Sequence, residues 1–271
     1  MELVSIAVAT YNSEETIIEL LDSIAKQSYP DIELIVADDC SQDETVKLVR
    51  SWCHMNQARF HRILLTVSRK RQGVAFNADR AIYKSKAKWI KLIGGDDVLL
   101  PNCIKDNMDF IKENPSICFV FSQAVIFGDL SAVREKRPVL ERSYELLRKG
   151  DSTELLKHMY FPSPTGFFSH DLYNRLGGYD KRFPNWEDAP FYTKMICKNI
   201  LFGFFDKETV KYRLHKKNHK IYRGFAIDFI KVCLLVRIPA LIRHGEIKLA
   251  LKQFRSAGNQ FKRLLSGDLQ K

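Results

Sequence analysis

Apolar runs and helical spacings alternate through the first hundred residues. Residues 3–10 (Leu-Val-Ser-Ile-Ala-Val-Ala-Thr) are almost continuously apolar, the pattern of a strand covered on both faces. Tyr11-Asn12-Ser13 makes a turn, and Ser13 is placed to cap a helix whose apolar face is Ile17, Leu20, Leu21 and Ile24. Residues 32–37 form a second buried run that ends in Asp38-Asp39. Ser41 with Glu44 three residues later then reads as a capping box, opening a helix through Val46, Val49 and Arg50. Residues 62–67 predict a third strand, 74–86 a third helix, and 89–94 a fourth strand. Strands alternating with helices in this way predict βαβ units, right-handed crossovers and a parallel sheet.

Such sheets bind ligands beyond the carboxyl ends of their strands. Three of those ends are polar and acidic here: Thr10-Tyr11-Asn12 with Glu14, Asp38-Asp39, and Gly94-Gly95-Asp96-Asp97. The last is the most pointed. Two glycines permit a tight turn and close approach, and two adjacent carboxylates repel unless a cation or hydrogen-bond donors hold them. Oxygen ligands of this kind suit Mg²⁺ or Mn²⁺, which also grip substrate phosphates. Between the acidic turns lies Ser68-Arg69-Lys70-Arg71-Gln72-Gly73, a basic loop before a helix N-terminus, where phosphate is favourably held. No G-x-G-x-x-G follows the first strand, so a dinucleotide dehydrogenase is unsupported. Converging acids and a basic loop predict instead a mononucleotide site with a metal-held diphosphate.

Beyond Pro101 the pattern predicts a helix to Asn114 and a buried strand over 117–127. Residues 128–151 are mixed and charged and read as a loop or linker. The turn-rich Phe161-Pro162-Ser163-Pro164-Thr165-Gly166 leads to a short strand, and Leu176-Gly177-Gly178-Tyr179-Asp180 is another tight turn. Asn185-Trp186-Glu187-Asp188 opens a helix through Phe191, Met195 and Ile196; carboxylates there complement a helix dipole or do chemistry. Arg213-Leu214-His215 follows a strand-like segment over 209–212. From Phe225 onward apolar residues keep helical spacing, with Lys and Arg interspersed.

Charge changes the picture of that last stretch. The 271-residue chain has a net charge of +11, yet its first 206 residues hold 27 basic and 28 acidic side chains. From Lys207 to Lys271 there are 16 Lys and Arg against 4 Asp and Glu. An anionic surface would therefore be met by the C-terminal quarter. Its apolar face either packs on the parent domain or lies on the anionic inner leaflet of a membrane. Six scattered cysteines without a C-x-x-C pair point to reduced thiols rather than a disulfide frame or zinc. The longest uncharged run, 15 residues over 114–128, is too short to span a bilayer, and no signal-peptide pattern follows Met1.

Four motifs in order carry a resemblance. They are Val4-Ser5-Ile6-Ala7-Val8-Ala9-Thr10-Tyr11-Asn12, then 32–43 with Asp38-Asp39, Gly94-Gly95-Asp96-Asp97, and Gly177-Gly178-Tyr179-Asp180 with Glu187-Asp188. Over roughly residues 3–215 the chain resembles the family 2 inverting glycosyltransferases, which have the Rossmann-like GT-A fold. The resemblance implies a catalytic domain over 1–215 and a basic helical extension over 216–271. Thr10, Tyr11, Asn12 and Glu14 would line the nucleotide pocket, Asp39 would meet the base and Asp96 the ribose, with Arg71 a further candidate. Asp97 would take Mn²⁺ or Mg²⁺ between itself and the diphosphate, near Arg213 and His215. Asp188 would be the catalytic base, with Trp186 and Glu187 on the acceptor side. Where many members read Asp-x-Asp-Asp, the first position here is Gly94. The implied reaction moves a sugar from a nucleotide-diphosphate sugar, a UDP-sugar, to a glycan or lipid-linked glycan. The implied place is the cytoplasm, peripheral on the inner face of the membrane, with no nucleic acid as partner.

Two other readings stand beside it. A sugar nucleotidyltransferase would also pair metal-binding Asp residues with a basic loop, but leaves Glu187-Asp188 without a task. A non-catalytic basic module for RNA or membrane would use Tyr212, Tyr222 and Phe225 as stacking surfaces. No RRM or KH signature accompanies those aromatics.

Overall fold

The computed structural model describes residues 1–158, 160–215 and 223–265. Eight strands form one sheet: β1 (Val4–Thr10), β2 (Ile32–Asp38), β3 (Arg62–Val67), β4 (Trp89–Gly94), β5 (Val98–Leu99), β6 (Phe119–Gly128), β7 (Phe167–Ser169) and β8 (Gly203–Leu214). Their order is β3-β2-β1-β4-β7-β6-β8-β5. Pairs β3/β2, β2/β1, β1/β4 and β6/β8 are parallel, whereas β7 and β5 join antiparallel. Register places Thr10 beside Asp38 and Ala9 beside Gly94, so the three acidic turns leave the sheet along one edge.

Alternation along β1 sorts the core onto the two sheet faces. Val4, Ile6 and Val8 join Ile17, Leu20, Leu21 and Ile24 of α1 (Ile17–Ala25), as the helical spacing predicts. Ala7 instead joins Ala75, Ala78 and Ala81 of α3 (Val74–Lys84). Alanine on alanine lets helix and sheet approach closely, while each large aliphatic buried on the opposite face contributes about 1.5–3 kcal/mol. Helices α2 (Thr45–Met55) and α4 (Cys103–Glu113) cover the same face as α1, through Val49, Trp52, Ile104 and Met108.

Two expected helix caps are absent. α1 starts at Ile17 without a side-chain cap; Ser13 contributes its carbonyl to Thr16 N and Ile17 N, and its hydroxyl turns back to Tyr11 O. α2 likewise begins after Glu44 without a side-chain cap. Ser41 is held elsewhere, donating to Asp38 Oδ2 and accepting from Asn12 N at 2.8 Å. Both serines brace the turns at the sheet edge.

Residues 128–151 are not a loop. They hold α5 (Leu130–Lys149), whose N-cap Asp129 accepts from Ser131 N and Ala132 N and whose C-cap is Gly150. Pro138 lies inside this helix and interrupts the pattern, because proline removes one helical N–H. Burial of Leu140, Tyr144 and Leu147 at helical spacing outweighs that loss. α6 (Ser152–His158), α7 (His170–Arg175) and α8 (Asp188–Cys197) follow.

The C-terminal stretch is helical as its spacing predicts: α9 (Arg223–Val232), a π-turn over Cys233–Arg237, α10 (Ile238–Arg243) and α11 (Ile247–Leu265). Ala240, Leu241 and Ala250 join the core cluster that contains Ala7 and Phe191. The expected division between 215 and 216 adjoins a segment outside the described residues, and Tyr222 also lies outside them. Among the described residues no helix is long and apolar enough to cross a membrane.

Candidate active site

The first part of the site lies between β1, β2 and α3. Ala9, Thr10, Tyr11, Asp39, Arg71, Gly73, Val74, Asn77 and Asn185 line a cavity of about 200 Å³. Asn77 sits where β1 and β2 part, donating Nδ2 to Thr10 O at 3.0 Å and Ala37 O at 2.9 Å. Asp39, only 3% exposed, receives Gln72 N at 3.0 Å and Gly73 N at 2.7 Å, which fastens the basic loop to β2. Gly73 has φ +98°, and a Cβ there would stand 2.5 Å from Pro184 O, so only glycine lets the loop pass. The Arg71 guanidinium lies over the Tyr11 ring at 4.4 Å. Thr10 Oγ1 is buried with no partner among the described residues, a group a bound ligand would satisfy. Asn12 and Glu14 sit outside this cavity. Asn12, at φ +46°, accepts Gln42 N, while Glu14 accepts Glu44 N at 2.9 Å; both steady the turn after β2.

A second cavity of about 230 Å³ opens beyond the end of β4. It brings Gly94 and Asp97 together with Glu187 and Asp188, ninety or more positions away in the chain, and with Tyr160, Tyr179, Tyr192 and Tyr212. Asp97, 4% exposed, accepts Arg213 N at 2.9 Å through Oδ1. Burial and the neighbouring Asp96 charge push its carboxyl up to about 8, against the pull of Arg213 N–H, Lys91 and the Arg213 charge. Asp96 is more open: its carbonyl accepts Arg213 Nε at 2.8 Å and its Oδ2 meets His215 Nε2 at 2.8 Å. Arg213 also reaches Glu19 and stacks on Phe127 at 4.4 Å. Arg213 and His215 thus both stand at the Asp96-Asp97 turn.

A divalent cation fits Asp97 by the chemistry of its donor. A buried oxygen ligand beside a second carboxylate is disfavoured as an anion, and a hard cation would reverse that. Among the described residues no cluster of three or more His, Cys, Asp and Glu side chains encloses a metal. The ion would therefore share Asp97 with substrate phosphates and water, as Mg²⁺ and Mn²⁺ commonly do.

Asp188 is the first residue of α8. Its Oδ2 accepts Ser163 Oγ at 2.6 Å and its Oδ1 accepts Ala189 N at 2.6 Å, so both oxygens are oriented. Glu187 precedes it, half-buried and without a side-chain cap bond; burial and then the Asp188 charge push its carboxyl up to about 8. Burial thus favours the protonated form of Glu187. Trp186 points elsewhere: its ring packs on Phe225 at 5.0 Å and Phe229 at 5.7 Å of α9, and its Nε1 is buried without a partner among the described residues.

Lys91, Ser163 and the tyrosine wall were missed from the sequence. Lys91 is fully buried in β4 and donates to Pro164 O at 2.6 Å, tying down the turn that presents Ser163. Burial drives its pKa down, opposed by Cys103 and Asp97. A lysine inside an apolar strand was the available signal. Burial also raises the pKa of Tyr192 and Tyr212, and the carboxylates add to it, so both remain hydroxyl donors.

The mostly parallel sheet with its flanking helices has the GT-A fold, with cavities of about 200 and 230 Å³ along one sheet edge. The same fold is seen in Staphylococcus aureus TarS 1-349 in complex with UDP-GlcNAc, with a TM-score of 0.69 at 19% identity over 94% of this chain and 73% of that one. It is seen again in the mannosyltransferase PcManGT from Pyrobaculum calidifontis in complex with GDP-Man and Mn²⁺, at TM-score 0.61, 18% identity, and 98% and 75% coverage. The chain spans 40% of the longer TarS structure. Residues 5–177 match the glycosyl transferase family 2, and the chain belongs to that family. Among curated relatives, the Escherichia coli UDP-Glc:alpha-D-GlcNAc-diphosphoundecaprenol beta-1,3-glucosyltransferase WfaP is 31% identical over 129 residues, 48% of this chain and 49% of that protein. The family match ends before Glu187-Asp188, so their placement rests on geometry.

Proposed function

We propose that this glycosyltransferase moves a sugar from a nucleotide-diphosphate sugar, a UDP-sugar, to an acceptor hydroxyl on a lipid-linked or surface glycan, inverting the anomeric centre. The observation that carries this reading is the shared cavity: Asp97 and Asp188 line one space from opposite halves of the chain. Tyr11, Asp39 and Arg71 hold the base, and Thr10 Oγ1 finds its missing partner on the ligand. Asp96 takes the ribose, while Arg213 and His215 flank the diphosphate. A divalent metal on Asp97, when bound, stabilises the charge that develops on the leaving diphosphate. Asp188, oriented by Ser163 and Ala189, removes the acceptor proton as the new bond forms from the face opposite the leaving group. One base and one displacement give inversion. Gly94 leaves room where many relatives carry an acid; a Cβ there would stand 3.0 Å from Asp96 Oδ1.

The deciding experiment incubates the chain with a panel of nucleotide sugars and Mn²⁺ and identifies the nucleotide released. Free UDP supports the proposal. Pyrophosphate would establish the sugar nucleotidyltransferase reading instead, and no release from any donor would leave a binding module.

A further inference from the structure

The last helix carries a surface that the transfer chemistry does not use. α11 is divided into three arcs around its axis. One arc is seated on the rest of the chain: Ala250 and Ala257 are buried, with Leu249, Gln253 and Gln260 half-buried. Beside it Ile247, Leu251, Phe254 and Phe261, spaced four, three and seven residues apart, fall on one stripe and are 52–60% exposed. At 1.5 Å rise per residue the stripe is about 21 Å long. The third arc is mostly basic, with Lys248, Lys252, Arg255, Lys262 and Arg263 exposed around Asn259, and α11 contains no Asp or Glu. A solvated outer face accounts for the basic arc. It does not account for two phenylalanines and a leucine held in water in a row beside it.

We propose that this face docks on an anionic lipid bilayer. The helix lies in the plane of the interface, its stripe at the acyl boundary and its basic arc over the phosphate headgroups. Charge decides the occupant. A second copy pairing through the same stripe would bring two basic arcs together, and a purely apolar partner would offer Lys248, Lys252, Arg255 and Lys262 no counter-charge. A surface of phosphate headgroups over hydrocarbon meets both arcs at once. Such docking would hold the active site at the membrane where a lipid-linked acceptor resides, but the surface itself is independent of the donor chemistry.

The test is co-sedimentation of the full chain with vesicles of phosphatidylcholine alone and with added phosphatidylglycerol, in about 0.1 M salt. Binding should be about tenfold or more tighter to the anionic vesicles. A Leu251→Ser/Phe254→Ser/Phe261→Ser variant should lose about tenfold or more of that binding, and Lys252→Glu/Arg255→Glu/Lys262→Glu should no longer distinguish the two lipids. Both variants alter exposed side chains, so their melting temperatures should match that of the wild type. Equal affinity for the two vesicles overturns the proposal, as does a folded serine variant that sediments like the wild type. So does a wild-type chain that stays in the supernatant and forms a dimer which the serine variant dissolves.

Discussion

One oxygen of Asp228, Oδ2, accepts both the backbone N–H of Asn185 at 3.0 Å and its side-chain Nδ2 at 2.8 Å. Asp228 belongs to α9 and is 3% exposed, while Asn185 lines the cavity between β1, β2 and α3 and lies three residues before Asp188. The neighbouring Trp186 is packed on Phe225 and Phe229 of the same helix. α9 therefore holds the short segment that leads from one cavity to the other.

Removing the Asp228 carboxylate should loosen that segment. In Asp228→Ala two donors lose a buried charged acceptor, at a cost of about 1–3 kcal/mol. Thermal unfolding should show the loss, and kcat should fall several-fold more than donor affinity does. A variant unchanged in both melting temperature and kcat would remove the clamp from the account.

Glu187 supplies a pH signature. Its carboxyl titrates at about 8 in the fold against an ordinary value of 4.5. Between those values the folded chain keeps a proton that the unfolded chain has lost. This group's contribution to stability is thus whole below the ordinary value and lost as pH rises through about 8. Glu187→Gln abolishes the titration, so its melting temperature should decline less than that of the wild type from about pH 5 to pH 8.5. Because the protonated acid and the amide are alike in charge, kcat at neutral pH should stay within about threefold. Identical pH profiles of melting would show that Glu187 is ionised throughout.

How legible these features are in the sequence depends on how far apart the partners lie. The four parallel strands were plain because strands buried on both faces are unbroken apolar runs, and the turns they end in carry their own chemistry. Even there the spacing of Ser13 and Ser41 suggests helix caps, whereas their partners, Tyr11 O and Asn12 N with Asp38, depend on how the turns fold. α5 was hidden by Pro138, because only tertiary burial outweighs a proline in a helix. Ser163 meets Asp188 across 25 residues, and Lys91 meets Pro164 across 73. No local periodicity encodes either contact.

Asp39 should select the base. Its carboxylate already takes three backbone N–H contacts from Gln72 and Gly73, and two carboxylate oxygens accept about four in all. One acceptor position remains for a donor such as uracil N3–H, which cytosine lacks. Competition binding should therefore favour UDP over CDP by about tenfold or more. Equal affinities would place base recognition on other residues.

Asp97→Asn keeps an acceptor for Arg213 N–H but removes the charge a cation needs. Turnover should fall by about 100-fold or more. Calorimetry should show that Mn²⁺ no longer tightens UDP binding. Excess EDTA should silence the wild type in the same way, and full activity in EDTA would rule out a metal at this turn.

Asp188 and Ser163 can be tested as a pair. Asp188→Asn preserves shape and keeps one acceptor oxygen, for Ser163 or for Ala189 N, but it cannot take a proton. If the acceptor is deprotonated as the bond forms, kcat should drop by about 100-fold or more while donor affinity holds. Ser163 acts through Asp188, since its hydroxyl touches Oδ2 at 2.6 Å and orients that oxygen. Ser163→Ala alone should therefore lower kcat several-fold, and adding it to Asp188→Asn should change little more. Residues that work as one unit give such non-additive losses, whereas independent ones multiply. Fully multiplicative losses would separate Ser163 from the base. An Asp188→Asn enzyme with near-normal kcat, or one that has instead lost the nucleotide sugar, would assign the base elsewhere in the cavity, with Glu187 the next carboxyl to test.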